Sequence, residues 1–202
     1  MKPRLAELVI IFLFSFTTIK AQAFNLGFGL ESNAVKVNQE NKSLPLYASI
    51  YGLQVNASVD FSQKLSLEAR SAIDFGPDYF TGTELGVLIK YSFISPLYMS
   101  TGFVSHMNSK IVSSTDAIPP WYSNEANLIM PAITIGVSLP YGNNNGNSKF
   151  DIELMYLSAF NKEIGTGTYT WDDGLDHPAV VEMRPLKLAY VLKLSIGVSF
   201  KL

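Results

Sequence analysis

Between Lys187 and Leu202 the hydrophobic positions alternate with small or polar ones. Leu188, Tyr190, Leu192, Leu194, Ile196, Val198, Phe200 and Leu202 share one parity. Lys187, Ala189, Val191, Lys193, Ser195, Gly197, Ser199 and Lys201 share the other. A period of two is the period of a strand, whose successive side chains point to opposite faces. A strand of this length, apolar on one face and lysine-bearing on the other, suits a wall between hydrocarbon and a polar interior. A transmembrane strand needs roughly 9–11 residues.

Seven further segments carry the same alternation: residues 24–37, 45–61, 64–75, 83–93, 97–107, 127–139 and 150–160. With the C-terminal segment the pattern predicts eight strands, an even number as single-chain outer-membrane barrels have. Short connections are expected at Ser62-Gln63, at Ile94-Ser95-Pro96 and at the turn-rich Pro140–Lys149. Longer ones are expected at Asn38–Leu44, Gly76–Gly82, Asn108–Ala126 and Asn161–Pro185. Short turns at one end and long loops at the other are what a membrane-spanning up-and-down barrel shows. The fold class that follows is all-β: an eight-stranded antiparallel up-and-down transmembrane β-barrel.

The alternation alone also fits a soluble ligand-binding barrel of the lipocalin kind, with the apolar face inward. Volume argues against it. An eight-stranded interior holds only close-packed side chains or one small ligand, and the apolar faces carry too many large residues for that space. The other faces offer Gly27, Gly29, Gly52, Gly86, Gly102, Gly136 and Gly197 with many serines, which suit a narrow lumen. Aromatic residues gather near strand ends. Phe24, Phe61, Phe93, Phe150 and Phe200 fall toward the short-turn end, and Tyr47, Phe75, Tyr79, Phe80, Phe160 and Tyr190 toward the other. Two such groups read as interfacial girdles.

The N-terminus adds a location. Lys2 and Arg4 precede the apolar run Leu8–Ile19, and Ala21-Gln22-Ala23 is an A-x-A cleavage pattern. Residues 1–23 therefore read as a secretory signal peptide, and 24–202 as the barrel domain. Removing that leader takes away Lys2, Arg4, Lys20 and Glu7, which leaves 12 bases against 16 acids and a net charge of −4. The weak acidity argues against nucleic acid as a partner. Cysteine is absent, so no disulfide framework or cysteine-based metal site is expected, and the sequence calls for no cofactor.

Signal peptide, eight alternating strands and a terminal Phe200-Lys201-Leu202 together resemble the small outer-membrane β-barrel proteins of Gram-negative bacteria. The resemblance implies an outer-membrane location, contact with outer-membrane lipid and recognition by the barrel-assembly machinery during biogenesis. The last residue departs from the pattern, being Leu rather than an aromatic. One fold hosts many functions, so activity must come from particular residues.

The lumen parity holds the acids Glu31, Asp60, Glu68, Asp74, Glu84, Asp151 and Glu153 and the bases Lys64, Arg70, Lys90, Lys187, Lys193 and Lys201. Charges in a narrow interior must pair to offset lost hydration. A network of Glu31, Glu68, Arg70, Glu84, Lys90, Glu153 and Lys193 is expected to hold the lumen shut. His106 and Glu84 share the lumen parity at similar heights above the turn at Pro96, so a His–Glu pair is expected, and such a pair can do acid–base work. Outer-membrane lipid A 3-O-deacylases resemble this chain in fold and carry a His-x-Ser-Asn motif with a nearby Glu. Here His106-Met107-Asn108-Ser109 exchanges the last two residue types, which misplaces the nucleophile. The resemblance would make this chain a lipid-modifying hydrolase using His106 and Glu84. The reading favoured by the residues is a structural or surface-interaction barrel whose loops 108–126 and 161–185 meet an extracellular partner. The acidic stretch Asp172, Asp173, Asp176 and His177 lacks the EF-hand spacing and reads as a solvated loop rather than a metal site.

Overall fold

The computed structural model describes residues 23–39, 42–75, 80–109, 121–123, 127–142, 147–171 and 180–202. Its strands are β1 (Ala23–Gln39), β2 (Lys42–Asp60), β3 (Leu65–Phe75), β4 (Gly82–Ile94), β5 (Leu97–Asn108), β6 (Trp121–Ser123), β7 (Asn127–Pro140), β8 (Ser148–Trp171) and β9 (Val180–Lys201). All pairings are antiparallel, and no helix occurs among the described residues. The pairing order β8-β7-β5-β4-β3-β2-β1-β9 returns to β8, so eight strands close into a barrel, with β6 added to β8 outside the ring. Pairs such as Leu26↔Phe200 and Leu30↔Ile196 join the first strand to the last.

At one end the connections are tight. Phe61 N and Ser62 N both donate to Leu65 O, Ser95-Pro96 alone link β4 to β5, and Tyr141 N donates to Ser148 O. At the other end β8 and β9 overrun the barrel. β8 has 24 residues and β3 has 11, a difference that amounts to roughly 40 Å of additional strand. The added length is a hairpin in which Lys162–Trp171 pairs with Val180–Leu188. Trp121–Ser123 joins its edge at Gly167–Gly165, and Gln39 Nε2 donates to Gly167 O at 2.9 Å.

The apolar face points outward. Leu53, Leu85, Phe103, Ile133 and Leu194 are 54, 56, 63, 53 and 46% exposed, while their chain neighbours Gln54, Glu84, Val104, Ala132 and Lys193 are all at 5% or less. An exposed belt of this kind around a whole barrel is a surface for hydrocarbon, not for water, which removes the lipocalin-like alternative. Glycines let the lumen wall approach its contents. A Cβ on Gly136 would fall on the Tyr98 ring, so this position needs glycine if Tyr98 is to lie over β7 and reach Glu153 on β8.

Several expectations are corrected. Residues 161–185 are mostly strand, because Lys162–Trp171 and Val180–Leu188 satisfy each other's backbone groups. Asn38–Leu44 is shorter than expected, since β1 reaches Gln39 and β2 starts at Lys42. Phe80 is not interfacial but buried inside. Leu188 is buried and Lys187 exposed, the reverse of the expected faces. The cause is a register irregularity: Lys36 and Val37, adjacent on β1, pair with Tyr190 and Leu188, so Ala189 is an extra residue on β9, and β8 is irregular opposite it between Ser158 and Lys162. One extra residue flips every side chain beyond it. The lumen is also not polar throughout. Toward the hairpin end it is filled by Val35, Val37, Phe80, Leu128, Ile164, Leu186 and Leu188 among others, and apolar Leu88 and Val104 lie nearer the tight turns than Glu84 and His106 on the same strands. The leader at 1–23, apart from Ala23, lies outside the described residues, as do Tyr79, the acidic stretch 172–177 and the side chains of Tyr47, Trp121 and Tyr122.

The two faces can be told apart chemically. Leu194→Cys, on the outside of β9, is expected to react with a membrane-soluble maleimide in proteoliposomes. Ser195→Cys, beside it and inside, is expected to stay unmodified until the barrel is unfolded. Reversed labelling would place the apolar face inside.

Candidate functional site

Strand geometry brings the interior charges to one level. Glu31 on β1, Asp74 on β3, Glu84 on β4, His106 on β5 and Lys193 on β9 all point inward and are buried. The Lys193 ammonium sits among three carboxylates, with Nζ 3.2 Å from Glu31 Oε2, 3.0 Å from Asp74 Oδ2 and 2.6 Å from Glu84 Oε2. Its three N–H donors thus match three separate acceptors. Asn33 Nδ2 donates to Asp74 Oδ1 at 2.5 Å, and Ser195 Oγ donates to Glu31 Oε1 at 3.3 Å.

A second cluster lies closer to the tight-turn end. Arg70 donates from Nε and Nη2 to Glu68 Oε1 at 3.0 and 2.7 Å, and from Nη2 to Glu153 Oε2 at 2.5 Å across the lumen. Tyr98 Oη donates to Glu153 Oε1 at 2.5 Å, and Lys90 Nζ stands 3.5 Å from the centre of the Tyr98 ring, a cation–π contact. Gln54 joins the two clusters when its amide is oriented to donate to Glu31 and to accept from Arg70 Nε. Below this level the lumen widens into a polar vestibule of about 280 Å³ that includes Asn25, Asp60, Lys90, Asp151 and Lys201.

The expected network residues Glu31, Glu68, Arg70, Glu84, Lys90, Glu153 and Lys193 are all placed inside, in two groups rather than one. Asp60, Lys64, Asp151 and Lys201 line the vestibule instead. Three members were not assigned from the sequence. Asp74 shares the lumen parity, but only the register Asp74↔Gly82 sets it at the level of Glu84 and His106. Tyr98 has no charge to signal its part. Phe80 folds in from the β3–β4 connection and stacks on His106, with ring centres 3.9 Å apart and planes 7° from parallel.

Glu84 and His106 are direct cross-strand partners. His106 Nδ1 lies 3.0 Å from Glu84 Oε1 and 3.6 Å from Asp74 Oδ2. The pair has the distances of a base and its orienting carboxylate, but His106 is 0% exposed and capped by Phe80. Asn108 Nδ2 contacts Ile164 O at 3.5 Å, also inside. Nothing in this arrangement touches the lipid-facing surface. Asp74, Glu84 and His106 place ligand-type atoms within 4.8 Å of one another, the spacing of a small metal site. The Lys193 ammonium already supplies the cation to both carboxylates.

No protein-family model matches this chain, and no curated protein matches it in sequence at a significant level. Solved structures of similar architecture exist. The N-terminal β-barrel domain of Pseudomonas aeruginosa OprF superposes with a TM-score of 0.46 at 13% identity, covering 85% of this chain and 97% of that one. Neisserial surface protein A gives 0.44 at 13% identity over 89% and 97%. A major outer membrane protein from Thermus thermophilus gives 0.44 at 13% over 88% and 99%. The closed ring of eight antiparallel strands and the outward apolar face give this chain the architecture of the small outer-membrane β-barrels.

The interior contains five buried carboxylates, from Glu31, Glu68, Asp74, Glu84 and Glu153, against Arg70, Lys193 and the less buried Lys90. Losing a cation therefore leaves buried anions unpaired. Lys193→Met is expected to lower the unfolding free energy by about 3–5 kcal/mol, read by urea titration in detergent micelles. Adding Glu31→Gln, Asp74→Asn and Glu84→Gln to that variant should recover most of the loss. Unchanged stability in Lys193→Met would mean that the ammonium does not hold the cluster.

Proposed function

We propose that this protein is a small, closed outer-membrane barrel that serves as a scaffold, presenting the β8–β9 hairpin to the extracellular side for interaction. The observation that carries this reading is the mismatch in strand length. β3 spans a membrane with its 11 residues, within the roughly 9–11 that suffice, whereas β8 and β9 continue well past it as a paired hairpin. That extra length does nothing for crossing the bilayer. It is stiffened by β6 and by the Gln39 contact, which lowers the entropy a partner would have to remove on binding.

The lumen supports a scaffold rather than a channel. Ion pairs span its middle and apolar side chains fill its hairpin end, which narrows the lumen among the described residues. The start of β1 at Ala23, the end of β9 at Lys201 and the tight turns lie at the vestibule end, which the reading assigns to the periplasm. Location in the outer membrane is supported by the apolar belt and by the architecture, and recognition by the barrel-assembly machinery and contact with outer-membrane lipid follow from it.

In intact cells, external protease is expected to cut the hairpin between Trp171 and Val180 and leave the barrel heat-modifiable on gels. Cleavage only after the outer membrane is permeabilised would reverse the assignment of the ends and sink the display role. The rival reading is the lipid-modifying hydrolase. It requires His106 to reach an acyl ester, and the Phe80 cap and the 0% exposure stand against that. Mass spectra of lipid A from cells with and without the protein are expected to be identical. An acyl chain lost in its presence and restored by His106→Ala would establish the hydrolase.

A further inference from the structure

The barrel wall is not paired everywhere. β7 and β8 form a regular ladder from Pro140↔Lys149 to Ala132↔Leu157, and there it stops. Pairing on that edge of β8 resumes only at Gly165, with β6, one residue out of step. Between these points, among the described residues, 127–131 pair with β5 alone and 158–164 with β9 alone or with nothing. Both rims are built for the interruption. Phe160 and Asn161 adopt φ of 51° and 56°, a left-handed conformation that costs non-glycine residues energy and turns β8 off its course.

The other rim carries Pro131. Alternate residues of a strand turn their N–H and C=O toward the same neighbour. The Asn127 carbonyl faces the β8 side, where Lys162 Nζ donates to it at 2.8 Å. Pro131 shares that parity and has no N–H to leave unpaired, which is why proline is tolerated on a strand edge. Open ladder deep inside the hydrocarbon is costly, so this interruption belongs at the edge of the hydrocarbon, where acyl chains meet the headgroups.

What lies behind and in front of it is apolar. Inside are Leu128, Met130, Ala159 and Ile164, all buried. Outside are Ile129 and Phe160, 67% and 76% exposed. The exposed ammonium of Lys162 spans the gap. We propose that this seam is a lateral binding site for the acyl chain of an anionic membrane lipid. The chain lies through the interruption against Met130 and Ile164, and the acidic headgroup takes Lys162 from the Asn127 carbonyl. Met130, unbranched and adaptable, is the side chain best able to yield to it. The site rests on the membrane-embedded reading above but not on the display role.

A photoreactive diazirine residue placed singly at 130, 133 or 88 tests it in vesicles of phosphatidylcholine with phosphatidylglycerol. Heat-modifiable mobility verifies folding of each protein. After irradiation, lipid adducts are read by mass spectrometry. Position 133 faces outward and position 88 is buried on β4, two strands from β7. Adducts are expected at 133 and at 130 and not at 88. Lys162→Glu should abolish phosphatidylglycerol adducts at 130 while leaving those at 133. An adduct at 133 without one at 130 overturns the site and leaves the membrane reading standing, whereas no adduct at 133 overturns both. Equal adducts at 130 and 88 would mean that lipid enters along the lumen rather than through the seam. Indifference to Lys162→Glu would remove the headgroup contact.

Discussion

A backbone amide surrounded by hydrocarbon has no water to bond to, so a strand crossing a membrane must be paired along both edges. In this chain that requirement is met by joining β1 to β9. Once eight strands close, the interior diameter follows, and only side chains or one small ligand fit within it. The small residues of the lumen face, the crossing of Tyr98 over Gly136 and the compactness of the two ion clusters are consequences of that diameter.

The narrow interior is divided along its length. A polar vestibule leads to a level where charges and apolar side chains from different strands meet, and then to an apolar filling. The charges are isolated from solvent, and each is held by opposite charge or by hydrogen bonds from several strands. Lys193 alone links β9 to β1, β3 and β4, and Arg70 links β3 to β8. Buried pairs of this kind add little net stability compared with an apolar core. They do make the relative heights of the strands specific, because a slipped register would leave a carboxylate unpaired.

The exception to full pairing is as informative as the rule. The β7–β8 seam lies where β8 leaves the barrel to form the hairpin, and the bulge at Phe160-Asn161 accompanies that departure. The same residues thus lengthen the structure outward and weaken its wall. Pro131 on the facing edge and the Lys162 contact limit the penalty without restoring the ladder.

The alternation of side chains was enough to give the strand number, the antiparallel order and the outward direction of the apolar face. The first two depend only on the period of two and on the length of a membrane crossing, and the third also on the small volume of an eight-stranded interior. Parity also set Glu31, Glu68, Arg70, Glu84, Glu153 and Lys193 inside, and the shared height of Glu84 and His106 above one tight turn placed them opposite each other. What parity could not give is phase beyond an irregularity. The bulges near Lys36 and Phe160 and their effect on Leu188 and Lys187 leave no mark in the hydrophobic pattern, because either phase reads as alternation. Nor could it show that residues 162–171, polar and glycine-containing, would pair with 180–188. Asp74 beneath Lys193, Phe80 on His106 and the open seam depend on the register between strands distant in sequence. Register is settled by closure of the barrel and by the fit of its contents, which no local stretch of sequence encodes.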